Sequence, residues 1–130
     1  MEPFSMVYLD KIQSPEDIRA LKPEELTALC AEIRAFLVEK LSHSGGHLSS
    51  NLGAVELTVA IHRVFDTSRD RLVFDVGHQC YTHKLLTGRM AGFEGFRELG
   101  GMSGFPKPSE SVHDAFIAGH ASISVSVALG

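Results

Sequence analysis

Leu72-Val73-Phe74-Asp75-Val76-Gly77-His78-Gln79-Cys80-Tyr81-Thr82-His83-Lys84 is the stretch on which the reading of this chain turns. A short apolar run ends in Asp-x-Gly-His, and polar side chains follow where the run stops. In open α/β folds, ligands bind beyond the carboxyl ends of buried strands. The pattern therefore predicts a strand over 71–76 leading into a small-molecule or phosphate site. Helical spacing resumes over 81–86 and ends near Gly88.

Upstream, Ser14-Pro15-Glu16-Asp17 has the form of a helix start, with a capping serine, proline at the first helical position and acids facing the dipole. Pro23 restarts the pattern. Leu26, Leu29, Cys30, Ile33, Leu37 and Leu41 then fall at helical spacing, which predicts an amphipathic helix of about 18 residues stopped by Ser44-Gly45-Gly46. A further helix is predicted over 52–65. Its apolar residues circle the axis, so it should be largely buried. Asp66 to Asp70 reads as a polar turn. The stretch 92–108 holds five glycines and two prolines and reads as a functional loop. Near the C-terminus, Ile123, Val125 and Val127 alternate with serines at strand period, whereas Gly119-His120-Ala121-Ser122 followed by small residues fits a helix start equally well.

At 130 residues, 44% hydrophobic and 22% charged, the chain fits one globular domain. A net charge of −4 without a Lys/Arg cluster argues against nucleic acid as a partner. No apolar run approaches the roughly 20 residues that cross a bilayer, so no membrane association is expected. The first residues lack the pattern of a signal peptide. Cys30 and Cys80 form no C-x-x-C pair, and a cytoplasmic protein is expected.

Seven histidines raise the question of a metal. His43 and His47 are four apart, but Gly45 and Gly46 between them break the helix that would align them. His78 and His83 are five apart, and no H-E-x-x-H occurs, so no metal ligands are assigned. His43, His62 and His113 read as solvated or hydrogen-bonded spectators. His47, His78 and His120 differ because each follows a glycine, which lets backbone approach a ligand while the imidazole faces an anion. These pairs point to a diphosphate or sugar-phosphate site. Lys84 is either a further charge there or a surface lysine. Gly101-Met102-Ser103-Gly104 does not match G-x-S-x-G, and Cys80 and His78 are too close in sequence to converge, which argues against a hydrolase.

Longer strings carry a family resemblance. Ser44-Gly45-Gly46-His47-Leu48-Ser49-Ser50-Asn51-Leu52-Gly53-Ala54-Val55-Glu56-Leu57-Thr58-Val59-Ala60 resembles the N-terminal region of the 1-deoxy-D-xylulose-5-phosphate synthases. So do Phe74 to Gln79, Lys84-Leu85-Leu86-Thr87-Gly88-Arg89, Gly100 to Lys107 and the opening Tyr8-Leu9-Asp10-Lys11-Ile12. The resemblance covers nearly the whole chain, in the family's order. It implies a transketolase-like transferase with a thiamine diphosphate-binding α/β fold. Such enzymes are homodimers that condense pyruvate with glyceraldehyde 3-phosphate, losing carbon dioxide, and use thiamine diphosphate and magnesium. By the same resemblance His47 and His78 are catalytic, and His78, Gly119, His120 and Ala121 contact the cofactor. Gly119-His120 then opens a helix facing phosphate.

Some positions depart from the family. Ala121 stands where serine is common, and one lost donor of this kind costs about 0.5–1.5 kcal/mol. His113 and Pro108 replace a frequent tyrosine and arginine. Residues 1–130 correspond to the N-terminal part of the first cofactor-binding domain and stop before the family's Gly-Asp-Gly metal segment. The expectation is therefore a mainly helical chain with one short strand and uncovered apolar surface, inactive alone and binding no cofactor. One chain of a split enzyme, or a non-catalytic binding module of the same ancestry, are the alternatives.

Overall fold

The computed structural model describes residues 6–117 and 122–130. Helix α1 spans Pro15–Arg19 and α2 spans Pro23–Ser44. They are followed by α3 (Leu48–Leu52), α4 (Val55–Val64), α5 (Tyr81–Leu86) and α6 (Ser124–Leu129). Tight 3-10 turns occur at Leu9–Lys11, Gly77–Gln79 and Met90–Gly95.

Local chemistry explains the first two helices. Both begin with proline in the first turn, and an acid three residues past the cap accepts from the cap backbone, Asp17 for α1 and Glu25 for α2. Helix α2 is the spine. Leu29, Ile33 and Leu37 on one face are fully buried, and they pack in one cluster with Ile18, Val55, Val59, Leu85 and Leu86. Glu32 shares that buried face. Its carboxylate accepts the backbone N–H groups of Tyr8 and Leu9, each at 3.0 Å, and so holds the N-terminal turn against the helix. Helix α2 ends at Gly45, whose φ of 75° lies in the left-handed region. Polar ties align α4. Arg34 pairs with Glu56 and donates to the Leu52 carbonyl, and Arg63 donates to the carbonyls of Ile18 and Leu21.

Three sequence expectations are corrected. The strand expected over 71–76 is not formed, and no strand occurs among the described residues. A strand needs a neighbour to take its backbone hydrogen bonds, and none of the described residues supplies one. Leu72, Val73 and Phe74 are half-buried without regular secondary structure instead. The helix expected over 52–65 is α4 alone, Val55–Val64; Leu52 closes the separate short helix α3, and a turn at Gly53-Ala54 lies between them. Helix α4 is also not buried all round. Val55, Thr58, Val59 and His62 face inward, while Leu57 is 65% and Val64 72% exposed. The apolar ring reflects composition, and only one side has a partner.

The helix at the C-terminus starts at Ser124, and its first turn is tied back to the central stretch. The Asp75 carboxylate accepts the Ser122 N–H and the Ser124 hydroxyl, both at 2.6 Å, and these bonds hold the carboxyl below its ordinary range. Exposed apolar side chains, among them Leu57, Val64, Phe65, Phe116 and Ile117, agree with the expectation of uncovered apolar surface.

Candidate functional site

The chain returns twice to one place. His47 stands at the N-terminal end of α3, and His78 sits in the 3-10 turn Gly77–Gln79 before α5. Their imidazole rings lie 4.3 Å apart between centroids, inclined at 42°. His47 is exposed and His78 partly so, and the pair therefore opens to solvent. Partial burial, and then the neighbouring His47, lower the His78 pKa. A neutral ring offers one N–H donor and one lone pair, which suits an oxygen or nitrogen of a bound small molecule.

Tyr81 and Asn51 hold the two segments. The Tyr81 side chain is fully buried, and its hydroxyl oxygen accepts the His47 N–H at 3.3 Å. Asn51 is likewise fully buried. Its Nδ2 donates to the His47 carbonyl at 2.7 Å and to the His78 carbonyl at 2.8 Å, and its Oδ1 accepts the Tyr81 N–H at 2.9 Å. Gly46, with φ at 133°, packs so closely that a Cβ would lie 3.1 Å from the Tyr81 hydroxyl. Sequence reasoning missed Asn51. The available signal was its place on the apolar stripe of Leu48, Leu52, Val55 and Val59, where an amide needs buried partners.

Behind this pair runs a second polar system, also missed. His62 Nδ1 lies 2.8 Å from the Thr58 carbonyl, His62 Nε2 lies 2.7 Å from His83 Nδ1, and His83 Nε2 lies 2.9 Å from Asp114 Oδ1. Arg89 donates to both Asp114 oxygens at 2.7 Å, and the Lys107 N–H adds a bond at 2.8 Å. Burial pushes the Asp114 carboxyl up, but the bonds from Arg89, His83 and Lys107 outweigh it and hold the group well below the usual carboxylate range. Burial, and next the proximity of His83, lower His62 to about 4. Burial likewise lowers His83, against the opposing pull of Asp114.

Lys84 fits neither of its two expected roles. It is fully buried and donates to the Ser103 carbonyl at 2.6 Å and to Glu110 Oε1 at 2.8 Å, so it pins the loop that follows α5. Glu110 also accepts the Ser103 N–H at 2.7 Å. The long loop expected over 92–108 is thus ordered by buried charge, and a 3-10 turn occupies its start. Cys80 is buried, and desolvation pushes its thiol up to about 12, which removes any nucleophilic role at neutral pH. His43 is exposed, and His113 Nδ1 lies 2.7 Å from the Thr67 hydroxyl, so the three spectator histidines are solvated or hydrogen-bonded. Gly119, His120 and Ala121, expected at the cofactor, lie outside the described residues. Among the described residues, no group of three or more His, Cys, Asp or Glu is placed to hold a metal ion. Nor is any helix there long and apolar enough to cross a membrane.

Comparison with known proteins gives these features a family. Residues 9–130 match the family profile described as 1-deoxy-D-xylulose-5-phosphate synthase, and the chain belongs to that family. Over 122 residues, 94% of the chain, it is 61% identical to a 1-deoxy-D-xylulose-5-phosphate synthase of Thiobacillus denitrificans and 62% identical to that of Bordetella petrii. Over all 130 residues it is 57% identical to the synthase of Porphyromonas gingivalis. In each case it spans 20% of the relative's length.

Proposed function

We propose that these residues are the N-terminal part of the thiamine diphosphate-binding α/β domain of a 1-deoxy-D-xylulose-5-phosphate synthase. The whole enzyme is a homodimeric, cytoplasmic transferase. It condenses pyruvate with glyceraldehyde 3-phosphate, with loss of carbon dioxide, toward isoprenoid, thiamine and pyridoxal precursors. One observation carries the reading: His47 and His78, from separate segments, bring their rings to 4.3 Å between centroids, inclined at 42°, with His47 exposed and His78 partly so.

The donor set fits part of the cofactor. His78 would meet thiamine diphosphate near its diphosphate and reacting centre, and His47 would hydrogen-bond the substrate. Gly119, His120 and Ala121 are proposed as further diphosphate contacts. When bound, the cofactor supplies a carbon nucleophile and an electron sink for decarboxylation. This chain's residues bind and orient around that chemistry. The lowered pKa of His78 keeps a lone pair available at neutral pH, and its other nitrogen can donate. Magnesium ligands are proposed to come from elsewhere in the enzyme, since the described residues hold no cluster for one. Without that cation the diphosphate charge is unneutralised, so these 130 residues alone are proposed to be inactive and to bind the cofactor weakly or not at all.

The decisive experiment replaces the matching fifth of the Porphyromonas gingivalis synthase with this chain and assays condensation of pyruvate with glyceraldehyde 3-phosphate. The chimera should turn over, and His47→Ala and His78→Ala should each abolish most of the activity. A folded, dimeric chimera without activity, or one indifferent to both substitutions, refutes the proposal. Calorimetric titration of the isolated chain with thiamine diphosphate and magnesium should show no saturable binding at micromolar concentrations.

A further inference from the structure

Asn51 contacts both halves of the histidine pair, and it contacts them through backbone. Its Nδ2 protons go to the His47 and His78 carbonyls, and its Oδ1 takes the Tyr81 N–H. These partners settle which way the amide faces. Turned over, it would set an oxygen against two carbonyl oxygens and an NH2 against an N–H. Three of its four hydrogen-bonding positions are therefore used in a fully buried setting. The side chain thus governs the distance between two segments of chain, and the imidazoles ride on those segments. Tyr81 tightens the arrangement, because its N–H meets Asn51 while its hydroxyl meets the His47 N–H.

We propose that Asn51 is a positioning residue for the His47–His78 pair, its amide tying the two histidine backbones together and setting the ring separation that a ligand meets. The functional meaning rests on the pair facing substrate and cofactor, but the tie can be tested without either. Two substitutions dissect it. Asn51→Asp keeps the shape and loses both donors, so an oxygen faces two carbonyls. Asn51→Ser keeps one donor on an arm too short to reach both.

Nuclear magnetic resonance of this chain with labelled histidine and asparagine reads the outcome directly. In the parent chain, the two Asn51 Nδ2 protons should exchange at least about tenfold more slowly than those of exposed side-chain amides. The two adjacent rings, 4.3 Å apart, should shift each other's signals. In Asn51→Ser, the His47 and His78 ring signals should move toward those of free histidine, and the lowered His78 midpoint should rise. In Asn51→Asp, the displacement should be larger near neutral pH and should partly reverse in mild acid, where a protonated carboxyl regains one donor. A purely structural asparagine predicts something different: lower stability with the native rings unmoved, as Leu29→Ala in the core should show. Unmoved His47 and His78 signals in a folded Asn51→Ser overturn the proposal. If neither variant folds, the parent decides, since fast exchange of the Asn51 protons overturns the tie and slow exchange supports it. An inactive chimera would refute the synthase reading while leaving these signals untouched, so the two failures are distinguishable.

Discussion

Acid should unfold this protein earlier than its carboxylates alone would require, and His62 is the reason. Its ring is fully buried, with one nitrogen on the Thr58 carbonyl and the other on His83, and its pKa is lowered from 6.5 to about 4. Between those two values the unfolded chain takes up a proton that the folded chain refuses. Stability is therefore complete above about pH 6.5 and falls as pH drops toward 4. At about 1.4 kcal/mol for each pH unit of displacement, the full interval withholds roughly 3 kcal/mol, of which roughly 2 kcal/mol is lost between about pH 7 and pH 5. His83 is displaced in the same direction and adds to the slope. Asp114, held low, stays ionised in both states over this range and contributes nothing to it. Urea unfolding followed by far-UV circular dichroism at several pH values measures the slope, and His62→Gln should flatten it by the His62 share. A result of another kind would refute the reasoning. The contacts from Thr58 through His62 and His83 to Asp114 number three, and two neutral rings supply only two N–H protons for them. Stability that is flat between about pH 7 and pH 5 would show that a third, shared proton already sits on the pair.

Three further outcomes test other parts of the structure. Asp114→Ala takes the buried carboxylate from His83 and leaves Arg89 with Glu110 as its one acidic partner, and it should cost about 2–4 kcal/mol by urea unfolding, where an exposed ion pair would cost under about 1 kcal/mol. Gly88→Ala places a Cβ 2.6 Å from the Gln13 carbonyl oxygen at a φ of 85°, whereas Gly100→Ala at a φ of 79° meets nothing within 4 Å. The first should lower stability by roughly 3 kcal/mol and the second by roughly 1 kcal/mol, and equal losses would contradict this account. Both cysteines are buried, and burial raises both thiols. A thiol reagent at mildly alkaline pH should therefore label the native chain no faster than it unfolds and the urea-unfolded chain at once.

The parts of the fold that were legible in the sequence share a physical origin. Helices α1 and α2 announce themselves through capping boxes, first-turn prolines and apolar residues at helical spacing, all of them local. The apolar stretch 71–76 misled because β structure depends on a neighbour, and Leu72, Val73 and Phe74 carry no information about whether one is at hand. The pattern of 52–65 overstated burial for a related reason, since apolar composition on Leu57 and Val64 does not create a partner for that face. At the site, glycine before histidine singled out His47 and His78, whose rings the fold brings to 4.3 Å. What stayed hidden was the support. His62, His83, Arg89, Glu110 and Asp114 are joined only by tertiary contacts, and each taken alone reads as an ordinary surface residue.

The burial of Lys84 has a consequence for how the protein meets chemical reagents. Primary amines on a protein surface take up acylating labels, and trypsin cuts after them. Lys84 is fully buried, and its ammonium is bonded to Ser103 and Glu110. A mass spectrum of the acylated native chain should carry label on Lys22, Lys107 and other exposed lysines but not on Lys84. Label at that position would count the molecules whose loop had come away from α5, so Lys84 becomes a built-in gauge of how tightly that loop is closed.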